Sequence, residues 1–355
     1  MDFSKNEVGL MKRIGTLTFN RAINYGAVLQ AFALKEKVFF YTQAELINYI
    51  QSFVENIYTF KGNKIKGFVR FISFYKRDKK FRAFIKKISS EKVYDKAALR
   101  QANYEKIIVG SDQVWNYGCS GNDETFLLPN IDTKKYSYAA SFGVAELPEK
   151  QVPFFKEHLS KFRYISVREK TGQDICKKQL DLSAEVVLDP TLLLTKEEWA
   201  ERFHIQIKNK KYILVYAFEK SNELTAVAKR MSNLTGLPIY NISISTKDFF
   251  GNKVIKSAGP KEWVELFYNA AFVVTDSFHG TAFSINFNKQ FYSFAKNERA
   301  SRIVDLLDTL GLQNRLNPTL EEINADTEID YVSVNEKLEE ERKKSIAFIE
   351  KIIND

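Results

Sequence analysis

Short runs of β-branched and aromatic residues alternate with longer amphipathic stretches along most of this 355-residue chain. This alternation predicts an α/β fold with parallel sheets, because each helix carries the chain back to start the next strand beside the last. The predicted strands are 13–19, 106–110, 136–140, 163–167, 211–218, 237–243, 271–277 and 290–294. The predicted helices are 24–38, 168–180, 222–233, 260–270, 301–311 and 334–354.

The segment VVLDPTLLL at 186–194 interrupts this alternation, because Pro190 cannot take part in a central strand. A single hydrophobic core stops growing at about 250–300 residues, so a chain of this length has room for two. We therefore predict two Rossmann-like domains and a terminal helix. The N-terminal domain covers 11–187 and includes a basic helical segment at 61–88, the C-terminal domain covers 188–332, and the C-terminal helix covers 333–355. Met11, just before the first predicted strand, is an alternative start of the chain.

The composition is that of a soluble globular protein, with 45% hydrophobic and 27% charged residues. Cys119 and Cys176 form neither a metal-like spacing nor a disulfide framework, which favours reduced thiols. The first ten residues lack the pattern of a signal peptide, and no run approaches the roughly 20 apolar residues that span a bilayer. We expect a cytoplasmic protein, at most peripheral on the inner membrane face.

The positive charge is concentrated in one segment. Residues 61–87 contain eleven Lys or Arg and a single acid, Asp78, so this segment carries +10, whereas the whole chain carries +9 and the remainder sums to −1. A charge this local does not indicate a nucleic-acid surface. Apolar residues at helical spacing predict a basic amphipathic helix or hairpin that contacts an anionic membrane. The alternative is a helix packed on the first domain with solvated lysines.

A histidine follows the predicted strand 271–277, in the sequence TDSFHGTAF. Ligands of open α/β sheets bind outside the carboxyl ends of the strands, and a helix N-terminus there suits a phosphate. His279 is therefore a candidate acid or base, with polar neighbours at Thr275, Asp276, Ser277 and Thr281. The alternative is that Ser277 or Asp276 caps the helix and His279 is an ordinary surface residue.

Three loops in the first half of the chain also directly follow predicted strands. After strand 106–110, Gly110 permits a tight turn and close ligand approach, and Trp115 could stack on a sugar or pack in the core. Arg168 ends strand 163–167 beside Glu169, as an anion ligand or a simple ion pair. The polar candidates of these loops are Asn20, Arg21, Asn24, Gly26, Ser111, Asp112, Gln113 and Asn116. Walker, GxGxxG, HExxH and CxxC motifs are missing, so the sequence predicts neither a metal nor a cofactor.

Six segments occur in a fixed order between about residue 13 and about residue 310: NYGAVLQAFAL, VGSDQVWN, SYAASFG, SVRE, VVLDPTLLL and TDSFHGTAFSI. Together they resemble the polysaccharide pyruvyl transferase family. The resemblance implies two Rossmann-like domains facing a cleft, similar to the glycosyltransferase-B arrangement. It also implies transfer of a pyruvyl (carboxyvinyl) group from phosphoenolpyruvate, a co-substrate, to sugar hydroxyls. The product would be a pyruvate ketal on an exopolysaccharide or capsule, or on its lipid-linked precursor.

This chemistry assigns roles to the strand-end residues. The expected catalytic residues are His279 and Asp112, the donor- or anion-binding residues are Arg168, Arg302, Ser277, Gly280 and Thr281, and the acceptor-binding residues are Arg21, Asn24, Tyr25, Ser111, Trp115 and Asn116. Many family members have an arginine where this chain has Ser277, so either Arg302 supplies that charge or the donor differs. The alternatives are a nucleotide-sugar-dependent glycosyltransferase of GT-B type and a non-catalytic glycan-binding relative.

Overall fold

The computed structural model describes residues 13–53, 68–219, 221–243, 250–295, 300–324 and 328–355. The chain divides into two compact units. The first unit comprises the described residues of 1–58, Ile85–Leu193 and Lys343–Asp355, and the second unit comprises those of 59–84 and Leu194–Arg342. The basic segment was predicted within the N-terminal domain, whereas the contacts group its described part up to Phe84 with the second unit. Residues 1–12 and 61–67, on which parts of the predictions rest, lie outside the described residues.

Twelve strands and twelve helices make up the described chain. The strands are β1 Ile14–Leu17, β2 Ala44–Tyr49, β3 Ser89–Tyr94, β4 Lys106–Asp112, β5 Lys134–Ala140, β6 Ser166–Val167, β7 Glu185–Val186, β8 Ile213–Tyr216, β9 Ile239–Ile242, β10 Lys253–Ile255, β11 Phe272–Thr275 and β12 Gln290–Ser293. The helices are α1 Tyr25–Tyr41, α2 Phe68–Ile88, α3 Lys96–Arg100, α4 Tyr117–Ser120, α5 Val152–Leu159, α6 Lys170–Asp174, α7 Lys196–Phe203, α8 Asn222–Thr235, α9 Pro260–Asn269, α10 Phe278–Asn286, α11 Ala300–Leu310 and α12 Tyr331–Asn354.

The first unit is built on a parallel sheet with the strand order β3-β2-β1-β4-β5-β6-β7. The second unit has a parallel sheet with the order β10-β9-β8-β11-β12. Each order reverses once, at the β1/β4 pair in the first sheet and at the β8/β11 pair in the second. The α/β prediction with two Rossmann-like sheets is therefore confirmed, and each reversal marks the edge where such sheets bind ligands.

The central strands are apolar at consecutive positions because helices cover both faces of a parallel sheet. Ile107, Ile108 and Val109 of β4 are fully buried, as are Val273 and Val274 of β11. This is why both strands could be recognised in the sequence. The predicted strand 163–167 shrinks to the two residues of β6, and β4 continues beyond Gly110 to Asp112.

Gly110 serves sheet packing in this structure. A Cβ at this position would lie 2.1 Å from the carbonyl oxygen of Tyr138 on β5, so only glycine allows the two strands to approach this closely. The tight turn predicted at Gly110 is instead made two residues later, by Asp112.

The described helices include none that is both long and apolar enough to cross a bilayer.

Candidate functional site

The histidine loop of the second unit lies where the order of the second sheet reverses. β11 ends at Thr275 and α10 begins at Phe278, which puts His279 in the first helical turn. Ser277 caps α10, and its hydroxyl oxygen accepts a hydrogen bond from the amide of Gly280 at 3.3 Å. The cap expected as an alternative is thus real, but His279 is only 8% exposed and is not an ordinary surface residue.

The polar neighbours of His279 hold the loop in place. Asp276 accepts hydrogen bonds from the amides of Phe218 and Glu219, both at 2.7 Å, and so joins the loop after β8 to the loop after β11. Burial raises the pKa of Asp276, although these amides act in the opposite direction. The hydroxyl of Thr281 lies 2.7 Å from that of Ser293 on β12. These contacts fix the start of α10 against three strands.

Gly280 is required by the packing of α10 on β11. A Cβ at this position would lie 2.2 Å from Thr275 Oγ1 and 3.0 Å from Thr275 Cβ. Thr275 cannot easily turn aside, because its hydroxyl donates to the carbonyl of Tyr216 at 2.6 Å. The glycine therefore lets the helix start, with His279 on it, approach the strand end.

Gly280→Ala is expected to lower the free energy of unfolding by about 1–2 kcal/mol. Overpacking usually costs about 1–3 kcal/mol, and a contact as short as this one belongs in the upper part of that range. The roughly 1 kcal/mol by which alanine is favoured over glycine in a helix offsets part of the cost. Urea unfolding of the variant measures it. Gly172→Ala is the comparison, because its Cβ would lie 3.2 Å from Val167 Cβ and needs a smaller adjustment. Equal stability of Gly280→Ala and the wild type would contradict the packing account.

Arg302 lies at the same helix start. Its guanidinium carbon is 5.9 Å from the ring centroid of Phe278, and the ring of His279 meets the Phe278 ring edge to face at 5.2 Å. One aromatic ring is thus flanked by a cation and an imidazole. A helix N-terminus also favours negative charge, because its amides point outward along the helix dipole. The arrangement can bind an anion and exchange a proton with it.

Asp112 occupies the corresponding place in the first unit, at the end of β4. Its φ of 72° lies in the left-handed region, which costs a non-glycine residue of order 1–3 kcal/mol. Its Oδ1 accepts a hydrogen bond from the amide of Gln113 at 2.9 Å, and the side chain remains 16% exposed. Strained backbone of this kind concentrates at functional sites. Asp112 therefore offers a carboxylate at the carboxyl end of β4, the edge where sheets of this kind usually bind ligands.

Arg168 has three acidic neighbours in the first unit. Its guanidinium donates to Asp189 Oδ2 at 2.8 Å and lies 3.6 Å from Asp112 Oδ1 and 3.7 Å from Glu169 Oε2. Burial disfavours the charged form, but the three carboxylates outweigh it and raise the pKa of Arg168. An anionic donor would have to compete with these carboxylates for the guanidinium. Donor binding by Arg168 stays a prediction, and the ion pair expected as its alternative is present.

Asp189 organises this cluster, and sequence reasoning missed its role. The buried carboxylate accepts hydrogen bonds from Arg168, from Ser111 Oγ at 3.1 Å, and from the amide and hydroxyl of Thr191 at 3.0 and 2.7 Å. The signal was the order Asp-Pro-Thr, in which an aspartate caps a short helix that starts with proline. The sequence pattern of this segment predicts only a boundary between two domains.

The predicted acceptor-binding residues have different surroundings in the structure. Trp115 is 1% exposed, donates its indole N–H to the carbonyl of Phe126 at 3.1 Å and packs on Phe142, so it cannot stack on a sugar in this arrangement. Arg21 donates to Asn48 Oδ1 at 2.7 Å and is half-buried. The remaining candidates are buried or act as helix caps: Ser111 and Tyr25 are buried, while Asn24 and Asn116 cap α1 and α4. Acceptor binding by Arg21, Asn24, Tyr25, Ser111 and Asn116 stays a prediction.

Neither cysteine forms a disulfide within the part of the chain that the structure describes. Cys119 is half-buried and donates from Sγ to Gln113 Oε1 at 2.9 Å, while Cys176 is buried, which raises the pKa of its thiol to about 12. Over the same described residues, no group of three His, Cys, Asp or Glu side chains is arranged to hold a metal ion.

The chain was compared with known protein families and structures. The model of the polysaccharide pyruvyl transferase family matches residues 24–298. Comparison with curated proteins gave no significant match.

Similar solved structures include two UDP-GlcNAc 2-epimerases. The one from Methanocaldococcus jannaschii is 13% identical, with 97% of this chain and 99% of that chain covered and a TM-score of 0.48. The one from Neisseria meningitidis is 10% identical, with 97% and 98% covered and a TM-score of 0.48. An O-GlcNAc transferase mutant from Thermobaculum terrenum is 9% identical, with a TM-score of 0.45; 96% of this chain is covered, but it spans only 64% of that chain. With TM-scores below 0.5, these likenesses do not bear on the site or its chemistry.

Proposed function

This chain belongs to the polysaccharide pyruvyl transferase family, and we propose that it transfers a pyruvyl group from phosphoenolpyruvate to the hydroxyls of a sugar acceptor. The product is a pyruvate ketal on a surface polysaccharide or on its lipid-linked precursor. The observation that supports this most directly is the family match over residues 24–298, which includes both the Asp112 loop and the His279 loop.

The reaction needs one proton donor and a place for two hydroxyl protons. Protonation of the methylene carbon of phosphoenolpyruvate makes a cation at the neighbouring carbon, which an acceptor hydroxyl attacks as it loses its proton. Phosphate then leaves, and a second hydroxyl adds to the same carbon. One of the two hydroxyl protons replaces the proton consumed at the methylene carbon, and the other leaves with the phosphate. Histidine suits the donor role because its ordinary pKa is near neutrality.

We assign the donor to the start of α10. His279 delivers the proton, and the helix N-terminus and Arg302 hold the anionic groups. Arg302 supplies the charge that an arginine in place of Ser277 would bring, since both Arg302 and His279 flank Phe278. In the first unit, Asp112 stays a candidate general base, because its carboxylate is partly exposed at the end of β4.

Phosphoenolpyruvate at 100 times its dissociation constant is expected to stabilise the protein by about 2.7 kcal/mol, which is roughly 5–10 °C in melting temperature. Thermal unfolding with phosphoenolpyruvate, and separately with UDP-sugars, measures this. Arg302→Gln is expected to weaken the binding at least about tenfold, because it removes a charged partner. The control is Arg230→Gln, an exposed arginine of α8 in the same unit.

The outcomes separate the candidate functions. Stabilisation by UDP-sugars alone would replace the proposal with a nucleotide-sugar-dependent glycosyltransferase. Stabilisation by neither class of donor would favour a non-catalytic glycan-binding relative. An equal response of Arg302→Gln and Arg230→Gln would remove Arg302 from the donor site.

A further inference from the structure

Helix α2 has two sides of opposite character. Phe81, Ile85 and Ile88 are buried, and Phe84 packs on Phe203 of the second unit with ring centroids 5.9 Å apart. Residues of an α-helix advance by about 100° each, so these four positions share one side. The described part of the apolar side, which was predicted to contact a membrane, is therefore packed within the protein.

The opposite side carries cations and an aromatic ring. Lys76, Lys79, Lys86 and Lys87 are exposed, and Tyr75 is 57% exposed. Lys79 and Lys86 follow Tyr75 by four and eleven residues, which places all three on nearly the same line along the helix. Four lysines and one tyrosine thus face solvent together.

Other cations of the helix are neutralised by the protein itself. Lys80 pairs with Glu262 and donates to the carbonyl of Ser257 at 3.2 Å, and Arg82 pairs with Asp78 at 2.7 Å. Within the described ranges, the lysines at 76, 79, 86 and 87 form no such pair with a carboxylate. The internal ion pairs therefore leave a patch of one sign on the solvent side of α2.

We propose that this patch, Tyr75, Lys76, Lys79, Lys86 and Lys87, binds the surface of an anionic lipid bilayer. Lysines near such a surface are attracted to its negative potential, and tyrosine is favoured at the level of the headgroups. Because the apolar residues at 81, 84, 85 and 88 are packed within the protein, the contact of this patch is electrostatic and reversible. The choice of a membrane over other anionic surfaces rests on the proposed function, in which a lipid-linked acceptor lies at a bilayer.

Sedimentation with vesicles tests the proposal. The full chain is expected to pellet with vesicles of about 30% phosphatidylglycerol in phosphatidylcholine at about 50 mM salt, and to be released at about 500 mM salt, since salt screens the attraction. Pure phosphatidylcholine vesicles are expected not to bind it. Each lysine near an anionic surface raises vesicle affinity roughly fivefold. Replacing all four by glutamine is therefore expected to weaken vesicle binding at least about 30-fold, even if only about half of the binding free energy is realised.

The matched control changes the same net charge elsewhere. Lys177, Lys210, Lys229 and Arg230 are exposed, and their replacement by glutamine is expected to leave vesicle binding within about threefold of the wild type. Circular dichroism melting confirms that both variants fold. Three results overturn the proposal. The first is no vesicle binding at low salt, and the second is an equal loss of vesicle binding in both variants. The third is that inorganic pyrophosphate displaces the protein from the vesicles and raises the melting temperature of the wild type but not of the patch variant. The last would assign the patch to a free diphosphate.

The outcome is independent of the catalytic assignment. Vesicle binding requires no donor, and the response to phosphoenolpyruvate requires no membrane. A protein that responds to phosphoenolpyruvate but stays in the supernatant contradicts the surface contact alone. A protein that binds anionic vesicles but ignores phosphoenolpyruvate contradicts the proposed donor and keeps the contact.

Discussion

Replacement of His279 by glutamine is expected to lower turnover by about 100- to 10,000-fold, the range that a general acid or base contributes. Glutamine fills much of the same buried space and can form hydrogen bonds, but it cannot deliver a proton near neutral pH. Because His279 is buried against Phe278, alanine would add a cavity to the chemical change, and glutamine separates the two effects. Phosphate release with phosphoenolpyruvate and an accepted sugar measures the rate.

His158 provides a matched control for this prediction. It is also buried, its ring packs on Phe154 with centroids 4.2 Å apart, and its Nδ1 lies 3.0 Å from the carbonyl of Phe154. His158→Gln is expected to keep turnover within about threefold of the wild type, since this ring lies on a helix away from the strand ends. Turnover of His279→Gln at the wild-type rate would exclude the proton-transfer role. Unfolding of His279→Gln at a temperature where His158→Gln stays folded would instead point to a structural role.

Asp189→Asn is expected to lower the free energy of unfolding by about 3–5 kcal/mol, the usual loss when one partner of a buried ion pair is removed. The substitution keeps the shape of the side chain but takes away the charge that Arg168 contacts most closely, at 2.8 Å. The carboxylates of Asp112 and Glu169 lie 3.6 and 3.7 Å from the guanidinium, which is longer than a hydrogen bond. Denaturant unfolding, followed by circular dichroism, measures the change.

Asp174→Asn is the control for Asp189. Asp174 pairs with Lys178 at 2.9 Å on an exposed helix surface, where such pairs contribute only about 0–1 kcal/mol. The two substitutions make the same chemical change in the same unit, so a difference between them reports burial. If Asp189→Asn lowers the free energy of unfolding by less than about 1 kcal/mol, the pair of Asp189 and Arg168 contributes no more than a surface ion pair.

Most interior strands could be predicted from sequence, and so could the edge strand β12, whereas the interior strand β2 and the edge strands β3, β7 and β10 could not. The apolar positions of β4 and β11 are consecutive, since these strands are covered on both faces. β3, with the sequence SSEKVY, lies at the edge of the first sheet, and only Tyr94 among its residues is fully buried. Solvent permits polar residues on an edge strand, so its sequence does not differ from that of a loop.

The candidate site was predictable to a similar extent. The position of His279 follows from a strand that ends before a helix, which is visible over about ten residues. The partners of Arg168 are not visible in this way, because Asp189 is 21 residues away and reaches Arg168 only in the folded sheet. Trp115 illustrates the same limit, since it stands among the polar residues Gln113 and Asn116 in sequence, while Phe126 and Phe142 contact it in space.

The sequence by itself determined most of the strands and helices, and therefore which polar residues stand at the carboxyl ends of β1, β4, β6 and β11. Hydrophobic runs, caps and turns act over a few residues, so they can be recognised locally. Only the tertiary structure decided what each of these residues contacts. It buried Trp115, placed Arg168 among carboxylates, and used the apolar side of α2 for packing. Burial and ion pairing depend on segments far apart in the chain, and their contacts exist only once both sheets have formed.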